Sequence, residues 1–227
     1  MDNQKENVQL IEKVLDMAKA KGAKESEVLF SESSNFSLKA NDGNLEEYKV
    51  SSSQVMGIRI GKDQKIGISY CEDMQEESLS MMVDQALENS KYVKEDEFEE
   101  ICVAHKDRVF ADNEKTYRED NTPAEKKIEL CLDLEKGIKA KDSSVKGAPY
   151  NGYSEGESAS YIANSLGTLC FEKSRSFSCY TSALIEKDGK QSMHYHGSVG
   201  RVFKELNPTN CIEESFKHAN SLLNAGP

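Results

Sequence analysis

Residues 27–70 read EVLFSESSNFSLKANDGNLEEYKVSSSQVMGIRIGKDQKIGISY. Apolar side chains fall at every second position in four or five short runs. Turn-formers separate the runs at Ser33-Ser34-Asn35, Asn41-Asp42-Gly43, Ser51 to Ser53 and Gly61-Lys62-Asp63. Alternation with a period of two puts one set of side chains against a core and the other in water, the pattern of an antiparallel meander. The expected buried set is Val28, Phe30, Phe36, Leu38, Leu45, Tyr48, Val55, Ile58, Ile60, Ile66 and Ile68. The flanking helices must cover it.

Outward from this stretch the period changes to that of helices. Gln4–Lys21 carries Val8, Ile11, Leu15 and Ala18 on one stripe and stops at Gly22, a left-handed C-terminal cap. After Tyr70, Asp73 with Glu76 resembles a capping box, and Leu79, Met82, Val83, Ala86 and Leu87 share a face up to about Ser90. Lys91–Asn121 is a loop-rich connection with an acidic run at residues 95–100 and a short strand expected at Ile101–Val103. The run reads as a solvated face, because cation ligands must converge in space.

Thr122-Pro123-Ala124-Glu125 predicts a capping box with proline at the first helical position. The helix it opens reaches about Ala140 and buries Ala124, Ile128, Cys131, Leu132 and Ile138. A second β-rich region follows in runs 144–150, 157–164, 168–186 and 190–203, the third long enough to suggest a bend. Asn210 is expected to cap a last helix with Ile212, Phe216, Ala219 and Leu223 on one face. The fold class is therefore α+β: antiparallel or mixed β-meanders packed with about four α-helices. Two sub-regions, about 1–92 and 122–227, are joined by the connection.

Composition narrows the function classes. Forty acidic against 29 basic residues give a net charge of -11, which repels phosphate backbones and anionic membranes. Direct nucleic-acid and membrane partners are not expected. No apolar run is long enough to span a bilayer, and MDNQKENVQ lacks the basic and apolar regions of a signal peptide. A cytoplasmic location is expected. Cys71, Cys102, Cys131, Cys170, Cys179 and Cys211 form no C-x-x-C pair and read as small buried hydrophobes.

Four histidines are present: His105, His194, His196 and His218. His194 and His196, two apart in a strand, point to one face and are weak candidates for a shared metal ion, with no third ligand nearby in sequence. H-E-x-x-H and the phosphate loop are missing. Gly57-Ile58-Arg59-Ile60-Gly61 is a strand bounded by glycine. Tyr150, Tyr153, Tyr161, Tyr180 and Tyr195 suit either a peptide or subunit surface or half-buried strand positions.

Ala20-Lys21-Gly22-Ala23 leading to Glu27-Val28, then Asn41-Asp42-Gly43-Asn44-Leu45-Glu46, Gly57-Ile58-Arg59-Ile60 and Lys65-Ile66-Gly67, resembles the opening of the TldD/PmbA family. Thr116 to Lys127, Tyr161-Ile162-Ala163-Asn164-Ser165-Leu166-Gly167 and Leu222-Leu223-Asn224-Ala225 continue the likeness in order. The resemblance implies a two-domain protein that pairs with a homologous subunit as a homo- or heterodimer. It also implies roles in peptide maturation, in proteolysis of unfolded peptides and, genetically, in modulation of DNA gyrase. One subunit type of the family carries a zinc site, H-E-x-x-x-H, in its C-terminal domain. That motif is missing here, so no catalytic or cofactor-binding residue carries over, and zinc is expected only in a full-length protein or partner subunit.

The leading expectation is a non-catalytic N-terminal domain of a TldD/PmbA-type peptidase, with the metalloprotease-type domain beyond Pro227. It would shape substrate access for extended peptide and contact a second subunit. A stand-alone interaction module of the same fold is the first alternative. A small metal-dependent enzyme using His194 and His196 is the second.

Overall fold

The computed structural model describes residues 2–101, 108–110 and 115–223. The elements are α1 (Asp2–Ala20), β1 (Glu25–Asn41), β2 (Asn44–Lys62), β3 (Lys65–Cys71), α2 (Glu76–Ser90), β4 (Arg108–Phe110), α3 (Ala124–Lys139), β5 (Val145–Gly147), β6 (Gly152–Asn164), β7 (Leu169–Lys187), β8 (Lys190–Gly200) and α4 (Pro208–Leu222). A 3-10 turn at Phe203–Glu205 precedes α4. Strands pair in the order β3-β2-β1-β6-β7-β4, with β5 and β8 also on β7. The β2–β3 and β7–β8 ladders are antiparallel, whereas β4 runs parallel to β7. The fold is thus α+β.

Two compact units form. The first holds Met1–Ser33, Ser52–Asn113 and Ser158–Lys173; the second holds Ser34–Ser51, Glu114–Glu157 and Ser174–Pro227. β1, β2, β6 and β7 each contribute to both. The expected turns at residues 33–35 and 51–53 do not form, because strands β1 and β2 run straight through them for 17 and 19 residues. Those serines mark where each strand passes from one core to the other. The expected 168–186 run is likewise one continuous strand, dividing at Lys173 and Ser174.

In the first unit, α1 and α2 lay Ile11, Val14, Ala18, Leu79, Val83 and Ala86 on strand residues Val28, Phe30, Met56, Ile58, Ile60, Tyr161 and Phe171. Each large aliphatic side chain so buried stabilises the fold by roughly 1.5–3 kcal/mol. Gly22 ends α1 with φ +94, and Ala23 N donates to Ala18 O. Close approach of α2 to β3 depends on Gly67, where an added Cβ would lie 1.9 Å from Ala86 O and 2.5 Å from Ser90 N. Lys13 pairs with Glu76 and Lys21 with Asp84, each at 2.6 Å, between the two helices.

The expected buried set is corrected by strand parity. Ile58 and Ile60 face the helices, so Met56 goes inward and Val55 outward; Ile68 lies opposite Arg59 on the outer side. Leu45 and Tyr48 sit three apart, which no strand can bury together, and both are exposed. Phe36 is only partly buried, edge-on to Tyr48 and Tyr153.

In the second unit α3 and α4 cover the strands, with Cys131, Leu134, Ile138, Cys211 and Ala219 fully buried against Leu38, Tyr153, Phe177, Cys179, Ala183 and Ile185. Leu134 takes the place expected for Leu132, and Ala124 is only partly buried. The helix starts also differ from expectation. Pro123 is itself the cap of α3, so Lys126 rather than Glu125 takes the third position, and Thr122 N donates to Asp120 instead. At α2 the cap is Gln75; Asp73 accepts from Gln75 N and Ser78 Oγ, while Glu76 pairs with Lys13. Asn207, with Pro208 after it, caps α4 by accepting from Asn210 N at 3.0 Å, so Asn210 is the donor rather than the cap. Ile101 is buried outside regular structure, and residues 102–103 lie outside the described residues.

A buried carboxylate fixes the hairpin between β1 and β2. Asp42 and Gly43 both adopt positive φ, the requirement of a tight two-residue turn. Their backbone N–H groups donate to Glu135 Oε1 and Oε2 at 2.7 and 3.0 Å, and Lys139 bridges Glu135 and Asp42. Burial works to raise the Glu135 carboxyl, but bonds from Lys139, Gly43 and Asp42 hold it below the usual range.

Glu135→Gln is expected to cost about 2 kcal/mol, because one N–H of the turn and Lys139 lose a charged acceptor. The depressed carboxyl contributes its full stability above the ordinary glutamate range and loses it as pH falls through the folded value. E135Q should therefore flatten the acid limb of stability measured by urea denaturation against pH. Gly67→Ala is expected to cost about 3 kcal/mol in the same measurement, since the clash is with helix backbone.

Candidate functional site: an open strand and its two faces

β8 pairs with β7 alone among the described strands. Its register sets two faces. Ser192, His194, His196 and Ser198 stand opposite Ile185, Ala183, Thr181 and Cys179 on the helix side; Met193, Tyr195, Gly197 and Val199 stand opposite Leu184, Ser182, Tyr180 and Ser178 on the other. On that second face Tyr195 and Val199 are 64% and 74% exposed, and Met193 is 40% exposed. Residues 191–199 contain no Lys, Arg, Asp, Glu or Pro, the residues that normally blunt an exposed edge. The strand thus offers unpaired backbone groups beside an apolar row, a geometry suited to an added strand.

The helix-side face takes the two sequence candidates into separate contacts. The His194 ring lies 4.9 Å from that of His218 on α4, and its Nδ1 is buried with no hydrogen-bond partner among the described residues. His196 Nε2 is 3.1 Å from Asn210 Nδ2. His218 Nε2 is 3.2 Å from Glu214 Oε2. Among the described residues no three His, Cys, Asp or Glu side chains are arranged to hold a metal ion. His105 lies outside the described residues.

The acidic run is tied down by single ion pairs, Glu95 with Lys65 at 3.6 Å and Glu99 with Arg59 at 3.7 Å. The tyrosines divide: Tyr153 and Tyr161 are core residues, Tyr180 is half-buried, and Tyr150 and Tyr195 are exposed. Tyr150 N donates to Ser182 Oγ, which places its segment beside the open face of β8.

Sequence reasoning missed a polar cluster inside the second unit. Lys127 Nζ bonds both carboxylate oxygens of Glu155, at 2.9 and 2.7 Å, and Tyr153 OH donates to the same group. Arg175 approaches Glu155 and Glu157 at 4.0 Å and lies over the Phe177 ring. Burial, then the bond to Glu155, drives the Tyr153 phenol far above the ordinary tyrosine range. Lys127 falls on the inner stripe of α3, the signal that could have revealed it. Mutual satisfaction makes this an internal brace.

The class defined by these features is an α+β chain with two helix-backed β-units and an open, uncharged strand edge. Two family models match it: PmbA/TldA metallopeptidase domain 1 over residues 26–90, and the PmbA/TldA metallopeptidase central domain over residues 117–223. The chain belongs to the TldD/PmbA family.

Solved structures share the fold. A candidate modulator of a DNA gyrase from Thermotoga maritima MSB8 is 20% identical with a TM-score of 0.73, over 96% of this chain and 49% of that one. A candidate modulator of DNA gyrase from Bacteroides thetaiotaomicron VPI-5482 is 19% identical with a TM-score of 0.76, over 95% and 49%. TldE from Thermococcus kodakarensis is 16% identical with a TM-score of 0.73, over 93% and 47%. The chain spans about half the length of each. No curated protein matches it significantly.

Removing one partner of the buried brace should be costly. Lys127→Met is expected to lower stability by about 3 kcal/mol by removing the ammonium that bonds both oxygens of the largely buried Glu155 carboxylate, and Lys127→Met with Glu155→Leu should recover most of that loss. Urea unfolding of both variants checks it.

Proposed function

We propose that this chain is the non-catalytic N-terminal portion of a TldD/PmbA-type peptidase involved in peptide maturation or proteolysis. It shapes access for extended or unfolded peptide and contacts a homologous subunit, in the cytoplasm. The observation that carries this reading is the match of both regions to successive domains of a metallopeptidase family. The open edge of β8 and the row Met193, Tyr195 and Val199 add a physical means of holding an extended chain. Backbone pairing supplies affinity there, and alternate side chains meet the apolar row.

Zinc hydrolysis needs three protein ligands, a bound water and a general base. In this reading those groups belong to the remainder of the full-length protein or to a partner subunit. The acidic surface, net -11, disfavours direct DNA contact, so an effect on gyrase is read as turnover of a peptide that acts on it. No helix is long and apolar enough to cross a membrane among the described residues.

The test incubates the purified chain with a fluorescent unfolded peptide and zinc. Binding without cleavage is expected. Proteolysis abolished by a chelator would overturn the reading. Tyr195→Asp with Val199→Asp is expected to weaken peptide binding at least tenfold by fluorescence anisotropy, while the far-UV spectrum stays unchanged because both side chains are exposed.

A further inference from the structure

Three cysteines meet in the core of the second unit: Cys131 on α3, Cys179 on β7 and Cys211 in the first turn of α4, all fully buried. They are not equivalent. The Cys179 and Cys211 sulfurs lie 3.9 Å apart, and the Cys211 thiol donates to Cys179 O at 3.7 Å. Cys131 instead is approached by Asn151 Nδ2 at 3.8 Å. All three are free thiols.

We propose that Cys179 and Cys211 are a redox-modification site, closing into a disulfide that joins β7 to α4 when the chain meets hydrogen peroxide. The sulfurs are already near contact, and a bond at ~2.05 Å needs them to converge by only about 2 Å. A core this apolar admits a small neutral oxidant far more readily than a charged tripeptide disulfide. Access comes through the start of α4, since helix ends open locally at lower cost than helix centres.

Cys211 is the residue that reacts first. It sits in the first turn of α4, where the helix dipole favours a thiolate. The Cys179 thiol, placed to donate to the Cys211 sulfur, also holds its pKa below the ordinary thiol value, against the opposing effect of burial. The same contact and burial drive the Cys179 thiol upward. Burial pushes Cys131 up to about 11, and the Asn151 amide approaches its sulfur.

The Cys211 thiolate attacks one peroxide oxygen, breaking the O–O bond; the departing hydroxide takes up a proton as water, and the sulfur becomes a sulfenic acid. Cys179 then attacks that sulfur. Its own proton leaves with the displaced hydroxide as a second water, and the S–S bond forms. Two thiols lose two electrons and two hydrogens, and one peroxide becomes two waters. The disulfide closes a segment between positions 32 apart in sequence, constraining the unfolded chain.

The full chain is treated with hydrogen peroxide, the remaining thiols are alkylated, and the digest is read by mass spectrometry. The expected result is a Cys179–Cys211 cross-link with loss of two hydrogens, the other four cysteines alkylated, and full reversal by dithiothreitol. The unfolding midpoint should rise by roughly 5–10 °C on oxidation. Cys211→Ser should abolish both the cross-link and the rise, whereas Cys170→Ser should leave both intact. No cross-link in the wild-type chain, a cross-link through any other cysteine, or sulfinic acid at Cys211 with Cys179 still free would overturn the proposal.

Discussion

Side-chain parity along four long strands is the constraint on which the rest of the structure depends. β1, β2, β6 and β7 each serve both units. Successive residues of a strand point to opposite faces, so a single slip anywhere along 13 to 19 residues would turn a whole strand's apolar set outward. The inner residues of β7 show the rule held from Leu169 and Phe171 in one unit to Phe177, Cys179, Ala183 and Ile185 in the other. Between the two sets, at residues 173 and 174, stand Lys173 and Ser174.

Serine is the residue of these crossings. The strands change unit at Ser33-Ser34, Ser51-Ser52, Glu157-Ser158 and Lys173-Ser174. Where no core lies beneath a strand, a large apolar side chain has nothing to bury against, while a hydroxyl can bond sideways to its neighbour strand. Ser33 and Ser53 do so at 2.9 Å. Polar braces then fix what apolar packing leaves loose: Glu135 holds the β1–β2 turn, and the Lys127–Glu155 pair, with Tyr153, ties α3 to β6.

These features bear on function by leaving particular surfaces free. Helices back one side of each unit's strands, and β8 turns Tyr195 and Val199 away from α4. The same strand turns His194 and His196 toward α4, where a neighbouring ring and an amide occupy them. One strand therefore has an inner face committed to packing and an outer face exposed to solvent.

Much of the fold was legible in residues 27–70 and in the helical stripes that flank them. Period-two and period-3.6 patterns specify α+β, and Gly22, Asp42-Gly43 and Asn164 to Gly167 mark real ends and turns. Helix caps lie one to three residues from the motif positions: Pro123 and Gln75 cap without a side-chain bond, and Asn207 rather than Asn210 supplies the capping oxygen. The serine clusters have the composition of turns, because local composition is the same for a polar turn and for a strand passing between cores. The two-residue spacing of His194 and His196 puts both on one face. What they meet across it was decided by α4, which arrives through long-range packing. The sequence by itself determined the periods, the glycine-bearing turns and the charge. Only the tertiary structure decided which strand edge stays open, which cysteines touch and which carboxylates are buried, because those depend on contacts between residues far apart in the chain.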